Sequence, residues 1–195
     1  MPAMPTVNPG TIILNGENPF IWLSETADGP RTSEASLWTI TWSPKGAGHA
    51  FFVKSELTND EWRIYTDNVE LTRWMQSTVQ GMLVPDTNDP SIPVFSATFE
   101  RSGDTKNAWT HTIKGDEDIY VMSWYDMAQP ILVSDNDPVT EPPERPYGVS
   151  AVMIPAARAE LTVNGVKAKG QTWPFELDGH PFASGALAFS ESWRE

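Results

Sequence analysis

The chain has 195 residues, 26 acidic against 13 basic side chains, a formal charge of -13 and no cysteine. Without cysteine there are no disulfides, thiolate nucleophiles or Cys-ligated metals, and a surface this negative repels phosphate backbones and anionic lipids, so nucleic-acid and membrane partners are not expected. Nine Trp, eight Phe and four Tyr within 39% hydrophobic residues make the chain too apolar for disorder, and 17 Pro with 13 Gly imply many turns.

In chain order, the opening MPAMPTVNPG lacks the basic and apolar regions of a signal peptide, and a cytoplasmic setting is expected. Thr11–Asn15 and Pro19–Ser24 are short apolar runs separated by Gly16-Glu17-Asn18. Leu37–Trp42 alternates strictly, with Trp38, Ile40 and Trp42 on one face and Leu37, Thr39 and Thr41 on the other. Ser43–Gly48 has turn chemistry and His49–Ser55 returns as the partner strand, with a further strand at Glu61–Tyr65. Asp67 and Glu70 stand at capping-box spacing, and Leu71, Trp74, Met75, Thr78 and Met82 follow a helical period. The spacing predicts one amphipathic helix at about 67–81, with Gly81 as its C-terminal stop.

Pro85–Pro93 reads as a connection, and Val94–Arg101, Ala108–Lys114 and Asp118–Tyr125, joined by short turns, read as a meander. The acidic, Pro-rich stretch 134–146 is expected to be a flexible loop, or else a lid over a pocket. Tyr147–Ile154, Arg158–Val163 and Val166–Lys169 follow, the last two joined by the hairpin signal Asn164-Gly165. Gly185–Trp193 closes the chain, its alternation placing Leu187, Phe189, Glu191 and Trp193 on one face. No repeat or composition shift marks a second domain, so residues 1–195 read as one unit.

These elements describe an all-β fold with a single helix. An antiparallel barrel, which removes its edges and can enclose a cavity, is the first expectation, and a β-sandwich is the alternative. At its C-terminal end, through LTVNGVKAKGQTW (Leu161–Trp173) and SGALAFSESW (Ser184–Trp193), the chain resembles lipocalin-like proteins of the carotenoid hydratase and tocopherol cyclase type. The resemblance implies a calycin-type barrel acting on a terpenoid or polyketide-like substrate. It transfers no catalytic residue.

The candidate chemistry rests on few residues. His49 alternates with Phe51, and His111 with Trp109 and Ile113; either, in an apolar cavity, would be a neutral imidazole able to take a proton. Burial of Glu191 would raise its pKa and make it a general acid. Asp118 and Tyr120 share a face and could polarise a carbonyl. Trp38, Trp42, Phe51, Trp109, Trp124 and Trp193 are the candidate ligand-contacting rings. His180 reads as part of a turn. No metal-ligand spacing, nucleophile elbow or phosphate loop appears, and no cofactor is expected.

The function expected from the sequence is acid/base chemistry on an apolar small molecule, such as isomerisation, hydration, dehydration or cyclisation, in a Trp-lined barrel cavity. A non-catalytic binding protein for such molecules is the alternative, and a carbohydrate-binding sandwich with several exposed Trp is the second. The partner is a small molecule, and a homodimer is possible.

Overall fold

A computed structural model describes residues 11–135, 139, 144–177 and 179–195. The strands are β1 (Ile12–Glu17), β2 (Phe20–Ser24), β3 (Arg31–Trp42), β4 (Gly48–Ser55), β5 (Arg63–Thr66), β6 (Val94–Asp104), β7 (Ala108–Gly115), β8 (Ile119–Met127), β9 (Ile131–Asp135), β10 (Gly148–Val163), β11 (Val166–Lys167), β12 (Pro174–Leu177), β13 (His180–Ala183) and β14 (Gly185–Arg194). Two short helices, α1 (Val69–Gln76) and α2 (Val79–Leu83), lie between β5 and β6. Nine strands close a barrel in the order β14, β2, β3, β4, β5, β6, β7, β8, β10 and back to β14. A closed barrel therefore stands where the sandwich was the alternative.

β1 and β2 act as one broken strand. Glu17 pairs with Thr39 and Phe20 with Ser36, on one continuous register against β3, across Asn18 and Pro19. Proline has no N–H to give to a ladder, which accounts for the break. The expected strands at 147–154 and 158–163 are one strand, β10, which pairs with β14 over its first half and β8 over its second.

The barrel is not wholly antiparallel. β5 and β6 pair in parallel, Ile64 with Val94 and Thr66 with Ser96. Parallel neighbours need a crossover, usually helical, and α1 and α2 are its helices. The predicted helix at about 67–81 is present but bent, its two short pieces meeting at Ser77 and Thr78. Asn68, rather than Asp67, caps the first, its Oδ1 accepting from Leu71 N–H at 3.1 Å. Thr78, at φ -125° and ψ -107°, breaks the path, and its hydroxyl bonds back to the Trp74 carbonyl at 2.7 Å. Gly81 is no stop but lies inside α2, where a Cβ would come within 2.2 Å of the Gln76 carbonyl oxygen.

Three apolar clusters follow from strands that are hydrophobic on both faces. Leu37, Phe51, Tyr65, Tyr120, Met122, Trp124 and Leu161 pack inside the barrel. Their alternates Trp38, Ile40, Ala50 and Phe52 pack outside it, against Leu71, Met75 and Val79 of the helices. A third cluster joins Phe20 and Ala186 of the wall to Phe182 of the β12–β13 hairpin. That hairpin, with His180 paired to Leu177, occupies a stretch expected to be a turn. The Asp178-Gly179 pair is itself a hairpin signal.

The closing strand changes face midway. Between Phe189 and Ser192, β14 carries one residue more than the facing segment of β10, and Ser190 sits at φ 50°. Leu187 and Phe189 point into the barrel, whereas Glu191 and Trp193 point out. The single face expected for these four residues is therefore divided by a bulge.

Most of the loop expected at 134–146 lies outside the described residues; within it, Val139 and Arg145 form an isolated β-bridge. Among the described residues no helix is long and apolar enough to cross a membrane.

The bulge makes a testable demand on Ser190. Glycine there should leave stability near the parent value, while Ser190→Val should cost about 1–2 kcal/mol, because a β-branched residue is strained at positive φ. Urea unfolding of the two variants measures the difference, and equal midpoints would remove the bulge from the account.

Candidate functional site

A pocket of about 420 Å³ opens on the outer wall of the barrel, between the helices and the β12–β13 hairpin. Phe20 and Trp22 of β2, Val149, Ala151 and Met153 of β10, and Phe175 and Phe182 of the hairpin give it an apolar lining. Alternation places these residues there, since 149, 151 and 153 share the outer face of β10 while Val152 and Ile154 pair with the inward Phe189 and Leu187. Leu83 and Val84 of the crossover and Val133 of β9 complete the rim.

Few polar side chains reach this pocket. Glu191 is 5% exposed, and its Oε1 accepts from the Trp193 indole N–H at 2.6 Å. Burial disfavours the carboxylate and raises its pKa to about 7, against the lowering effect of that hydrogen bond. Gln80, 1% exposed, is held in the same manner: its Oε1 accepts from Trp38 Nε1 at 2.7 Å and Ser36 Oγ approaches the same atom at 3.3 Å. Its Nε2 is buried without a hydrogen-bond partner. Ser36 also bonds Asn18 Oδ1 at 2.9 Å, which makes a polar row along the pocket floor. Arg145 is the other ionisable group in the lining and forms an ion pair with Asp135.

Of the candidate residues, this pocket takes Glu191 and Trp193. Trp38 lies beneath it, in the outer cluster with Trp193 rather than in the interior. Trp42 is 50% exposed and is the one Trp of the nine in the exposed class. Phe51 and Trp124 are packed within the barrel, where side chains occupy the interior.

A second group gathers in the barrel around His111. The ring is 4% exposed, accepts from the Trp109 indole N–H through Nε2 at 2.9 Å, and meets Trp124 edge-on at 6.0 Å. Burial, reinforced by the charges of Arg101 and His49, lowers its pKa to about 4. His49 stacks on Phe99 with centroids 4.5 Å apart, its Nδ1 bonded to Asp67 Oδ2 at 2.6 Å. The other oxygen of Asp67 accepts from the His49 backbone N–H, also at 2.6 Å. Asp67, expected at a helix cap, is committed to this histidine.

Asp118 and Tyr120 form a third group, farther along the same strands. Asp118 Oδ2 accepts from Tyr65 at 2.7 Å and from Arg63 at 2.9 Å, while Asn164 holds Oδ1 at 3.0 Å. Burial alone would raise this carboxyl, yet those bonds and the Arg63 charge hold it below its ordinary value. Tyr120 is fully buried, 3.0 Å from the Tyr65 hydroxyl, and burial raises both phenols. The five catalytic candidates thus fall into three separate neighbourhoods. Among the described residues no three His, Asp or Glu cluster as metal ligands.

Gln80, Phe182, Met153 and Arg145 went unread in the sequence. Gln80 interrupts an otherwise apolar helical surface, and a buried glutamine in such a stripe is a signal for a polar partner. Phe182 belongs to a hairpin whose Asp-Gly turn was legible. The chain matches no protein-family model, and neither a curated protein nor a solved structure matches it.

Two opposed pH effects follow. Glu191 holds its proton more tightly folded than unfolded, so its penalty is absent at pH 4.5 and full above pH 7, where it reaches about 3 kcal/mol. Glu191→Gln should therefore be more stable than the parent at pH 8, with the gap closing by pH 5. His111 binds its proton less tightly folded, so the parent loses stability as pH falls from 6.5 through about 4, and His111→Gln should flatten that loss. Thermal unfolding across pH 4–9 checks both; parallel profiles for parent and variants would contradict the burial of these groups.

Proposed function

We propose that the protein binds an apolar small molecule in the outer-wall pocket, with the molecule's polar group at Glu191. The observation that carries this reading is a cavity of about 420 Å³ whose lining is apolar apart from a few buried polar groups. Small-molecule sites have this size and composition. Exposed apolar side chains in the lining, Leu83 and Phe175 among them, are costly to leave in water, at roughly 25 cal/mol per Å², and an apolar ligand would cover them.

The second reading is catalytic and rests on Glu191. A carboxylic acid with a pKa near 7 in an apolar site is suited to donate a proton at neutral pH. Toward an alkene it would protonate one carbon, leaving a cation within the pocket that Trp22 and Trp193 help to line. Water adding to that cation would return a proton to Glu191. Acid-assisted hydration or cyclisation of a terpenoid is the chemistry that the resemblance to carotenoid hydratases and tocopherol cyclases implies, and isomerisation follows if a neighbouring proton is lost instead. Here the acid stands on the outer wall of the barrel.

Binding is tested by quenching of tryptophan emission with apolar probes such as 1-anilinonaphthalene-8-sulfonate and a short terpenoid alcohol. Ala151→Phe, which fills the pocket, should weaken binding at least tenfold with little change in unfolding temperature. Undiminished binding in that variant would place the ligand elsewhere. If the terpenoid is turned over, Glu191→Gln should lower the rate by a factor of about 100 or more; an unchanged rate would leave binding alone.

A further inference from the structure

Gln80 and Glu191 are held in the same way. Each gives one oxygen to an indole N–H, Gln80 to Trp38 at 2.7 Å and Glu191 to Trp193 at 2.6 Å. The two indoles belong to one cluster, and both polar groups line one pocket. An indole can only donate, so the bonds decide which atoms remain. Gln80 must turn its amide oxygen to Trp38, which leaves its NH₂ group unpartnered and buried. Glu191 must use Oε1 as an acceptor, so in the neutral acid the proton sits on Oε2.

Both remaining groups are then donors. Helix α2 supplies Gln80 and β14 supplies Glu191 to the lining of the same pocket. Gly16, paired with both Ile40 and Glu191, places no side chain between β3 and β14 at that level. Two residues on, Asn18 is bonded to Ser36, which in turn reaches Gln80.

We propose that the Gln80 amide and the Glu191 carboxyl together anchor a carbonyl oxygen of the apolar ligand. The inference rests on reading the pocket as an apolar-ligand site. A carbonyl has two lone pairs and accepts from both donors at once. A hydrocarbon leaves the buried Gln80 N–H unsatisfied, which is unfavourable. An ammonium head meets the guanidinium of Arg145, the other ionisable group in the lining, which is paired with Asp135. The same two donors facing one oxygen would also stabilise negative charge developing on it.

Three ten-carbon probes separate the possibilities: 2-decanone, decane and decylamine, titrated by calorimetry or tryptophan quenching at pH 6 and pH 8.5. The ketone is expected to bind about tenfold more tightly than the hydrocarbon at pH 6 and to lose most of that advantage at pH 8.5, once Glu191 has given up its proton. Glu191→Gln, whose amide can give its oxygen to Trp193 and an N–H to the ligand at any pH, should keep the advantage at both. Gln80→Met should lose it at both; if that variant does not fold, the pH profile of Glu191→Gln decides. Equal binding of ketone and hydrocarbon at pH 6, or tightest binding by decylamine at pH 8.5, would overturn the carbonyl anchor while leaving the pocket reading standing. No binding by any probe would overturn both.

Discussion

Strands β2, β3, β4 and β14 carry apolar side chains on both faces, and a sheet built from them must be covered twice. On β3, Leu37 and Trp38 are both fully buried although they point in opposite directions. Closing the sheet into a barrel buries one face against itself. The other face needs outside cover, which comes from two separate pieces: the crossover helices, and the β12–β13 hairpin with β9. The pocket lies between those pieces, on wall that neither covers fully. Its position is thus a consequence of how the outer face is shared out.

Buried polar groups concentrate at the seams of this arrangement. At the β7–β8 end, Arg63, Tyr65, Asn164 and Asp118 satisfy one another, and such a closed network serves to hold strands together. Around His111 the imidazole is neutral and bonded to Trp109, and Asp67 holds His49 with both oxygens. The outer pocket differs in that two of its polar groups, Glu191 and Gln80, are each half satisfied. Tryptophan donors fix Glu191 and Gln80 in orientation and leave one atom of each unpartnered. Rigid positioning with unsatisfied hydrogen-bonding capacity is what a ligand site requires and what a structural network avoids.

Several features were legible in residue patterns because they are local. Alternation in Leu37–Trp42 and Ala108–Lys114, the turn chemistry of Ser43–Gly48 and the Asn164-Gly165 pair each act over a few residues, and the corresponding strands and turns are present. The helical period from Leu71 to Met75 was equally plain, while the break at Thr78 depended on its hydroxyl returning to the Trp74 carbonyl. Glu191 and Trp193 stood out by composition and do meet in the pocket. Their partners Gln80, Phe182 and Met153 come from segments as much as 113 residues away, and no pattern in the chain links them.

By itself the sequence determined a mostly-β fold, a helix after the first strands, an acidic character and a surplus of large aromatic rings, since each of these depends on local preference or bulk composition. Only the tertiary structure decided which face of each strand looks inward. Two-sided hydrophobicity is symmetric under a flip, so alternation could separate Trp38 from Leu37 without saying which was outside. One extra residue at Ser190 then turned Glu191 out of the barrel and into the pocket, and the energy of that turn lies in the packing on either side of the strand rather than in the residues that form it.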